Sequence, residues 1–406
     1  MKFFKRTVKN MPLRGKTVLV RADYNVPLET DGTIADDFRI RSSLPTLEYL
    51  LSQGCKIVLI SHLGRPEGHD KSCSLNVVAT RLEELLGKRV QFVEDCIGEK
   101  VRMRVKKAPA KSVLLLENLR YYPEEEQNDA NFAKKIAKDS GAAYFVQDGF
   151  GVVHRAHAST SAITQWLPSC AGLLLEKEYT TITNVMKHPK HPLVAVLGGA
   201  KVSDKLPLIE ALEPLAEKIV IGGAMANTFL AVAGVNMGAS KYESGQEAEI
   251  KHIYQRAIKK VGAKDVHDFL LLPSDVAVAK TIDATAQRRN VGVRAIQKDD
   301  KALDIGEKTI EKYVAAIEKA KTVLWNGTMG YAELPAFSHG SARIALALAT
   351  HPNVVSVIGG GDTADFVLHW DSKSGGSFTH VSTGGGASLE LMAGEKLPGV
   401  EALLKA

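Results

Sequence analysis

Short apolar runs alternate with segments of helical period along almost the whole chain. In the first 170 residues the runs are TVLVRAD, KIVLISH, SVLLLEN and AYFVQD. Segments such as SLNVVATRLEELLG separate them, with Ser74 placed to cap a helix and Gly87 to end it. From residue 191 onward the runs are LVAVLGG, KIVIGG, FLLLPSD, TVLWNG, NVVSVIGGG and FTHVSTGGG. A strand buried on both faces reads as an unbroken apolar run, and strands separated by helices build a parallel sheet covered on both sides. The pattern predicts an α/β chain in which such a unit occurs twice. Between the two sets, AGLLLEKEYTTITNVM (residues 171–186) has the period of a helix, and KHPKHP after it carries two prolines that would break one. The domain joint is expected there.

Composition adds little to this picture, and charge adds more. No apolar run reaches the length of a membrane span, and the opening MKFFKRTVKNMPLRGK lacks the apolar core of a secretory leader. The four cysteines, Cys55, Cys73, Cys96 and Cys170, form no C-x-x-C pair and read as reduced structural thiols of a cytoplasmic protein. The net charge of +6 is unevenly placed: residues 1–170 hold 26 Lys and Arg against 20 Asp and Glu, and the remainder balances at 26 each. The first part is therefore the expected host of a small, strongly anionic ligand. Nucleic acid is the rival polyanion, but the basic residues are dispersed and lack interleaved aromatics.

Nearly every apolar run ends in a polar or glycine cluster, and in a parallel α/β sheet ligands bind beyond the carboxyl ends of the strands. In the first part these ends supply Arg21, Asp23 and Asn25, then His62 and Arg65, then Arg120, then His154, Arg155 and His157. Arg39 and Arg41 open a predicted helix. Arginine presents forked donors to phosphate and carboxylate oxygens. Several strand-end loops each bringing an arginine or histidine make a pocket for such an anion. The triplet Glu124–Glu126 reads as a solvated helix start, favourable to the helix dipole and without a catalytic role.

In the second part, GGAKVSDK follows a strand but lacks the spacing of a Walker A loop. Lys201 and Lys205 would share one face at the beginning of a helix, where cations are unfavourable unless an anion is bound there. GGGDTADF repeats the strand–glycine–helix form, with Asp362 able to hold Mg²⁺ on nucleotide phosphates or simply to cap the helix with Thr363. STGGGASLE offers the helix start Gly384–Gly386, and Glu333 in TVLWNGTMGYAE is a candidate for a ribose hydroxyl. Gly359, Gly361 and Ala364 also fit a dinucleotide fingerprint, which raises an NAD-dependent dehydrogenase. The acidic residue that fingerprint expects at the next strand end is missing from HVSTGGG.

Over essentially its full length the chain resembles the phosphoglycerate kinase family, through RADYNVP, SHLGRP, ENLRYYPEEE, GFGVVHRAH, GGAKVSDK, LWNGTMG, GGGDTADF and STGGGASLE in this order. The resemblance implies two Rossmann-like three-layer α/β domains with parallel sheets, joined by a hinge helix. Residues 1–172 would bind phosphoglycerate, with 391–406 packing back on them; 173–190 would be hinge helix and linker; 191–390 would bind the Mg-nucleotide. It implies reversible phosphoryl transfer from 1,3-bisphosphoglycerate to ADP, giving 3-phosphoglycerate and ATP with Mg²⁺, by a glycolytic enzyme expected to be a monomer without nucleic-acid or membrane partners. Carried over by motif, Asp23, Asn25, Arg39, His62, Arg65, Arg120 and Arg155 would contact phosphoglycerate. Lys201, Lys205, Gly306, Glu333 and Gly360, Gly361, Asp362 and Thr363 would contact nucleotide, with Asp362 toward the metal. Arg39, Lys205, Gly361, Gly384 and Gly385 would face the transferring group.

Some positions depart from the family pattern. Tyr24 stands where phenylalanine is usual, Gly149 and Val153 where alanines are, and Glu307 and Thr328 where prolines are; the last two bear on nucleotide affinity. The acceptor carboxylate, with a pKa of about 4, is ionised at neutral pH, so the expected mechanism needs no general base. It relies on positioning, charge stabilisation and hinge closure that excludes water. A non-catalytic anion-binding protein of the same fold is the remaining alternative.

Overall fold

The computed structural model describes residues 2–406 as two compact units. The chain through Thr181, with Lys396–Ala406, forms one; Ile182–Glu395 forms the other. The partition falls inside the helix Leu173–Lys187, and the segment returning to the first unit begins at Lys396.

The first unit is built on β1 (Thr17–Arg21), β2 (Lys56–Ile60), β3 (Val90–Val93), β4 (Val113–Leu116), β5 (Tyr144–Gln147) and β6 (Ser169–Ala171), in the spatial order β3-β4-β2-β1-β5-β6. Every pairing is parallel. Successive side chains of a strand point to opposite faces. Val18 and Val20 therefore join one core layer, with Leu47 and Leu50 of the helix Phe38–Ser52 and Val78 and Leu82 of Asn76–Leu86. Leu19 joins the other, with Val101 and Val105 of Glu99–Lys107 and Phe132 and Ile136 of Ala130–Ser140. Gly87 ends its helix in the left-handed region at φ 56°. Ser74 stands one residue before the capping position, which is Leu75, and its hydroxyl donates to Glu117 at 2.7 Å. The C-terminal segment is tied in by Arg6 N–H to Leu404 O (2.8 Å) and by Lys5 Nζ to Glu401 O (2.6 Å).

The second unit holds β7 (Leu193–Leu197), β8 (Lys218–Ile221) and β9 (Leu270–Leu271). Next come β10 (Asp275–Ala279), β11 (Arg289–Gly292) and β12 (Lys301–Ile305), and finally β13 (Thr322–Asn326), β14 (Val355–Gly359) and β15 (His380–Val381). The parallel sheet runs β15-β14-β13-β7-β8-β9, and β11-β10-β12 is a separate antiparallel sheet. FLLLPSD, which reads as one buried strand, is divided by Pro273: β9 ends before it and β10 of the other sheet begins after it. Proline lacks the N–H that an interior strand needs. No helix among the described residues is long and apolar enough to cross a membrane.

Candidate anion and nucleotide sites

In the first sheet β2 flanks β1 on one side and β5 on the other, so the loops leaving β1 and β5 part and open a crevice. Asp23 and Asn25 follow β1. Arg39 Nη1 donates to Asp23 Oδ2 at 2.7 Å, and Asn25 Oδ1 accepts from Gly64 N–H at 2.8 Å. Arg120 Nη1 donates to Gly64 O at 2.8 Å and pairs with Glu126 at 3.1 Å, while Arg155 Nε donates to His154 at 3.2 Å. Arg65 is exposed, and His62 is buried with Nδ1 3.2 Å from Arg21 Nη2.

Burial, followed by the charges of Arg21, Arg120 and Arg39, holds His62 well below the usual imidazole range. Burial with Arg21, Arg120 and Arg155 pulls His157 down to about 4. The arginines of separate loops thus act on common neighbours, and both imidazoles are neutral at pH 7. Two departures from the family pattern are legible here. A Cβ on Gly149 would lie 3.0 Å from Ala22 C and Asp23 N, and one on Gly399 would lie 3.0 Å from Cα of Val153.

Arg21 and Glu125 do more than their sequence suggests. Arg21 is 1% exposed, donates from Nε to Ser159 Oγ at 2.8 Å, and lies 3.9 Å from Glu125. Glu125 is not solvated: it is fully buried and accepts from Ser159 N–H at 3.0 Å and from its hydroxyl at 2.5 Å. Nor does the triplet open a helix. The chain turns through it, and Asp129 caps the helix Ala130–Ser140 by accepting from Phe132 N–H at 2.6 Å. Three identical neighbours give no sign of which one points inward.

In the second unit the corresponding crevice lies between β7 and β13. Their end loops meet so closely that a Cβ on Gly198 would come within 2.2 Å of Thr328 O, and one on Gly327 within 2.2 Å of Gly198 C. Gly199 N–H donates to Thr328 O at 3.0 Å, and Gly223 N–H to Met329 O at 2.9 Å. Beside them is a cavity of about 350 Å³ between the helix Gly223–Val232, β12 and the loop 328–333. Glu333 and Asp362 are among its lining residues and are exposed.

Lys201 and Lys205 do not share a helical face. Ser203–Lys205 is a single 3-10 turn, and the α-helix Leu206–Leu212 begins after it with Pro207 in its first turn, the position where proline is tolerated. Lys201 is exposed. Lys205 is half-buried and bonds the Asn326 side chain, and burial pulls its amine down to about 8 against the opposing charges of Asp204 and Asp362.

Gly360 (φ 91°) opens the helix Gly361–Trp370, whose first turn exposes Gly361 and Asp362. Thr363 is buried, and its Oγ1 accepts from Gly327 N–H at 2.7 Å, so its side chain holds the β13 loop. Gly385 (φ 49°) opens Gly386–Met392, and Gly384 N–H is taken by Ser382 Oγ at 3.0 Å. Gly306 stands behind the cavity wall: Ile305 lines the cavity, while Gly306 packs on Asp275, 2.3 Å from where its Cβ would be. Glu307 faces Arg288 at 3.8 Å, and Thr328 lines the cavity with its hydroxyl on Gly330 O at 3.0 Å.

A cationic crevice in one parallel-sheet unit, and a glycine-bordered cavity next to open helix starts in another, define the class as an α/β phosphotransferase. The family model for phosphoglycerate kinase matches residues 8–395. The chain belongs to the phosphoglycerate kinase family. It is 46% identical over 398 residues to the phosphoglycerate kinase of Dictyoglomus turgidum, covering 98% of this chain and 97% of that one. It is 47% identical to the chloroplastic enzyme of Volvox carteri over 96% of this chain and 84% of the relative. Among solved structures it is similar to the phosphoglycerate kinase of Coxiella burnetii, with TM-score 0.82, 33% identity and 98% of each chain covered. It is also similar to that of Pyrococcus horikoshii, with TM-score 0.84, 31% identity and coverage of 99% and 98%.

Proposed function

We propose that this chain transfers a phosphoryl group reversibly between 1,3-bisphosphoglycerate and ADP, giving 3-phosphoglycerate and ATP. The observation that carries the reading is the match to the family along residues 8–395 with its charged motif residues retained. In this reading Asp23, Asn25, Arg39, His62, Arg65, Arg120 and Arg155 hold the phosphoglycerate. Asp23 orients Arg39 through their 2.7 Å ion pair, and His62 serves as a neutral hydrogen-bonding group. Lys201, Lys205, Glu333 and the helix start Gly360–Thr363 hold the nucleotide, and Gly306 acts from behind by fixing the wall at Ile305.

The attacking group is a carboxylate, already ionised at pH 7, so neither buried histidine needs to take a proton. What remains is to bind and orient the reactants and to offset charge on the moving phosphoryl group. Arg39 and Lys205 supply positive charge, and Gly361 and Gly385 supply backbone at helix starts, with Gly384, whose N–H is held by Ser382, shaping the second of them. Turnover requires both ligand sets. Mg²⁺ would come with the nucleotide: Asp362 is an exposed carboxylate, and no group of three His, Cys, Asp or Glu among the described residues could hold a metal. That donor set suits an ion that keeps waters and phosphate oxygens as ligands. Three buried free thiols, Cys55, Cys96 and Cys170, support a reducing, cytoplasmic setting, and we expect a monomer.

Phosphorus NMR tests the reaction. With 1,3-bisphosphoglycerate and MgADP, the downhill direction because an acyl phosphate is the stronger phosphoryl donor, the chain should convert the acyl-phosphate signal into that of the ATP γ-phosphate. Acyl phosphate that stays intact, or is only hydrolysed, would overturn the assignment.

A further inference from the structure

The cavity of the second unit contains a polar atom that the protein leaves unused. Asn227, on the helix Gly223–Val232, lines the cavity and is 3% exposed. Its side-chain nitrogen donates to Lys241 O at 3.0 Å and to Ala302 O at 3.4 Å. An amide nitrogen carries two hydrogens, so both are committed to carbonyls. Turning the amide over would set its oxygen against two acceptors, and its orientation is thereby fixed. The oxygen accepts no hydrogen bond among the described residues, and it is not sealed from solvent.

Two further polar groups of the wall, Asp304 and Lys301, are occupied. Asp304 accepts from Arg288 at 2.8 Å and from Gly340 N–H at 3.0 Å, and Lys301 Nζ donates to Lys280 O at 2.7 Å. Around Asn227 the lining is small and apolar, with Ala224, Ala226, Ala239 and Ala302. A slot of this kind accepts a flat ring and leaves its few polar groups to set orientation.

We infer that Asn227 determines base specificity: its fixed side-chain oxygen accepts a hydrogen bond from the exocyclic amine of a 6-aminopurine nucleotide. The inference rests on the reading that the nucleotide base occupies this cavity. A base without that amine leaves a nearly buried acceptor without a donor, which is costly because the acceptor has no second partner.

Calorimetric titration of the full chain with ADP and with purine riboside 5′-diphosphate, which lacks only the amine, tests this. The wild type should bind ADP about tenfold more tightly. Asn227→Leu should bind the two ligands to within about twofold. Equal affinities in the wild type, or a preference that survives in Asn227→Leu, would overturn the inference. The wild-type comparison decides even if the variant fails to fold. Ala224→Phe, which puts bulk into the cavity, separates the two levels of the argument: it should weaken both ligands by about tenfold or more. Unchanged ADP binding in that variant would mean that the base sits elsewhere, and the underlying reading would fall with the inference.

Discussion

Asp23 and Arg39 form a 2.7 Å ion pair in which the carboxylate is buried and the guanidinium is only partly so. Asp23 leaves the end of β1 and Arg39 lies on the helix Phe38–Ser52, so a strand-end loop fixes the direction of a helical cation. An arginine held in this way keeps further donors for a ligand.

Arg39→Ala should lower kcat by about 10²–10³, the loss expected for a preorganised charge at the reacting group. Nucleotide affinity should stay as in the wild type. Asp23→Asn, which keeps shape but loses the ion pair, should lower kcat less. Steady-state kinetics paired with calorimetry checks both, and near-wild-type turnover of Arg39→Ala would remove its assigned role.

Lys201 and Lys205 should separate. Lys201→Ala is expected mainly to weaken nucleotide binding by a few fold, read by calorimetry. Lys205 carries its charge below a pKa of about 8 in the free protein. Its cationic form binds the anion, so kcat/KM for ATP should fall as pH rises through about 8. Lys205→Arg should move that fall to higher pH because guanidinium stays charged. An unmoved profile would assign the titration to another group.

Glu125→Ala should destabilise the first unit by about 3–5 kcal/mol, because it leaves Arg21 buried without its counter-charge. Glu124→Ala, at a half-buried neighbour, should cost less. Urea unfolding of the two variants makes the comparison, and equal midpoints would contradict the inward placement of Glu125.

Asp148 is buried at the start of the helix Leu173–Lys187, where it accepts from Leu174 N–H at 3.0 Å, and burial pushes its carboxyl up to about 7. The sign follows from proton counting. Between the ordinary carboxyl range and about 7 the folded chain holds a proton that the unfolded chain has lost, so this group makes stability fall as pH rises through that window. Asp148→Asn keeps an acceptor and removes the titration. Its stability relative to wild type should therefore rise between pH 4 and 7.5, by up to ~4 kcal/mol. A difference that stays flat with pH would show that Asp148 titrates in its ordinary range.

The parallel strands are legible because each is an apolar run closed by a polar cluster, and the strand-end rule makes Asp23, Asn25, His62, Arg120 and Arg155 candidates for a ligand. Less legible were the places where distant contacts override local pattern. The sheet β11-β10-β12 is hidden in the sequence because its edge strand, RNVG, has little apolar signal and is largely exposed. Lys201 and Lys205 have helical spacing, but Pro207 delays the helix. The burial of Glu125 is not legible because its partners, Arg21 and Ser159, lie far away in the chain. Thr363, expected as a helix cap or at the nucleotide, has its hydroxyl on Gly327 N–H, a partner that only the fold supplies. Asn227 gave no signal, since its meaning depends on two carbonyls brought to it by the fold.

The most direct test is a coupled assay of ATP consumption with 3-phosphoglycerate, in which the acyl phosphate formed is reduced by a dehydrogenase with NADH. The account predicts NADH oxidation that requires ATP, Mg²⁺, 3-phosphoglycerate and this chain together, and that collapses with Arg39→Ala. NADH oxidation that does not depend on 3-phosphoglycerate, or none at all from a folded chain, would contradict it.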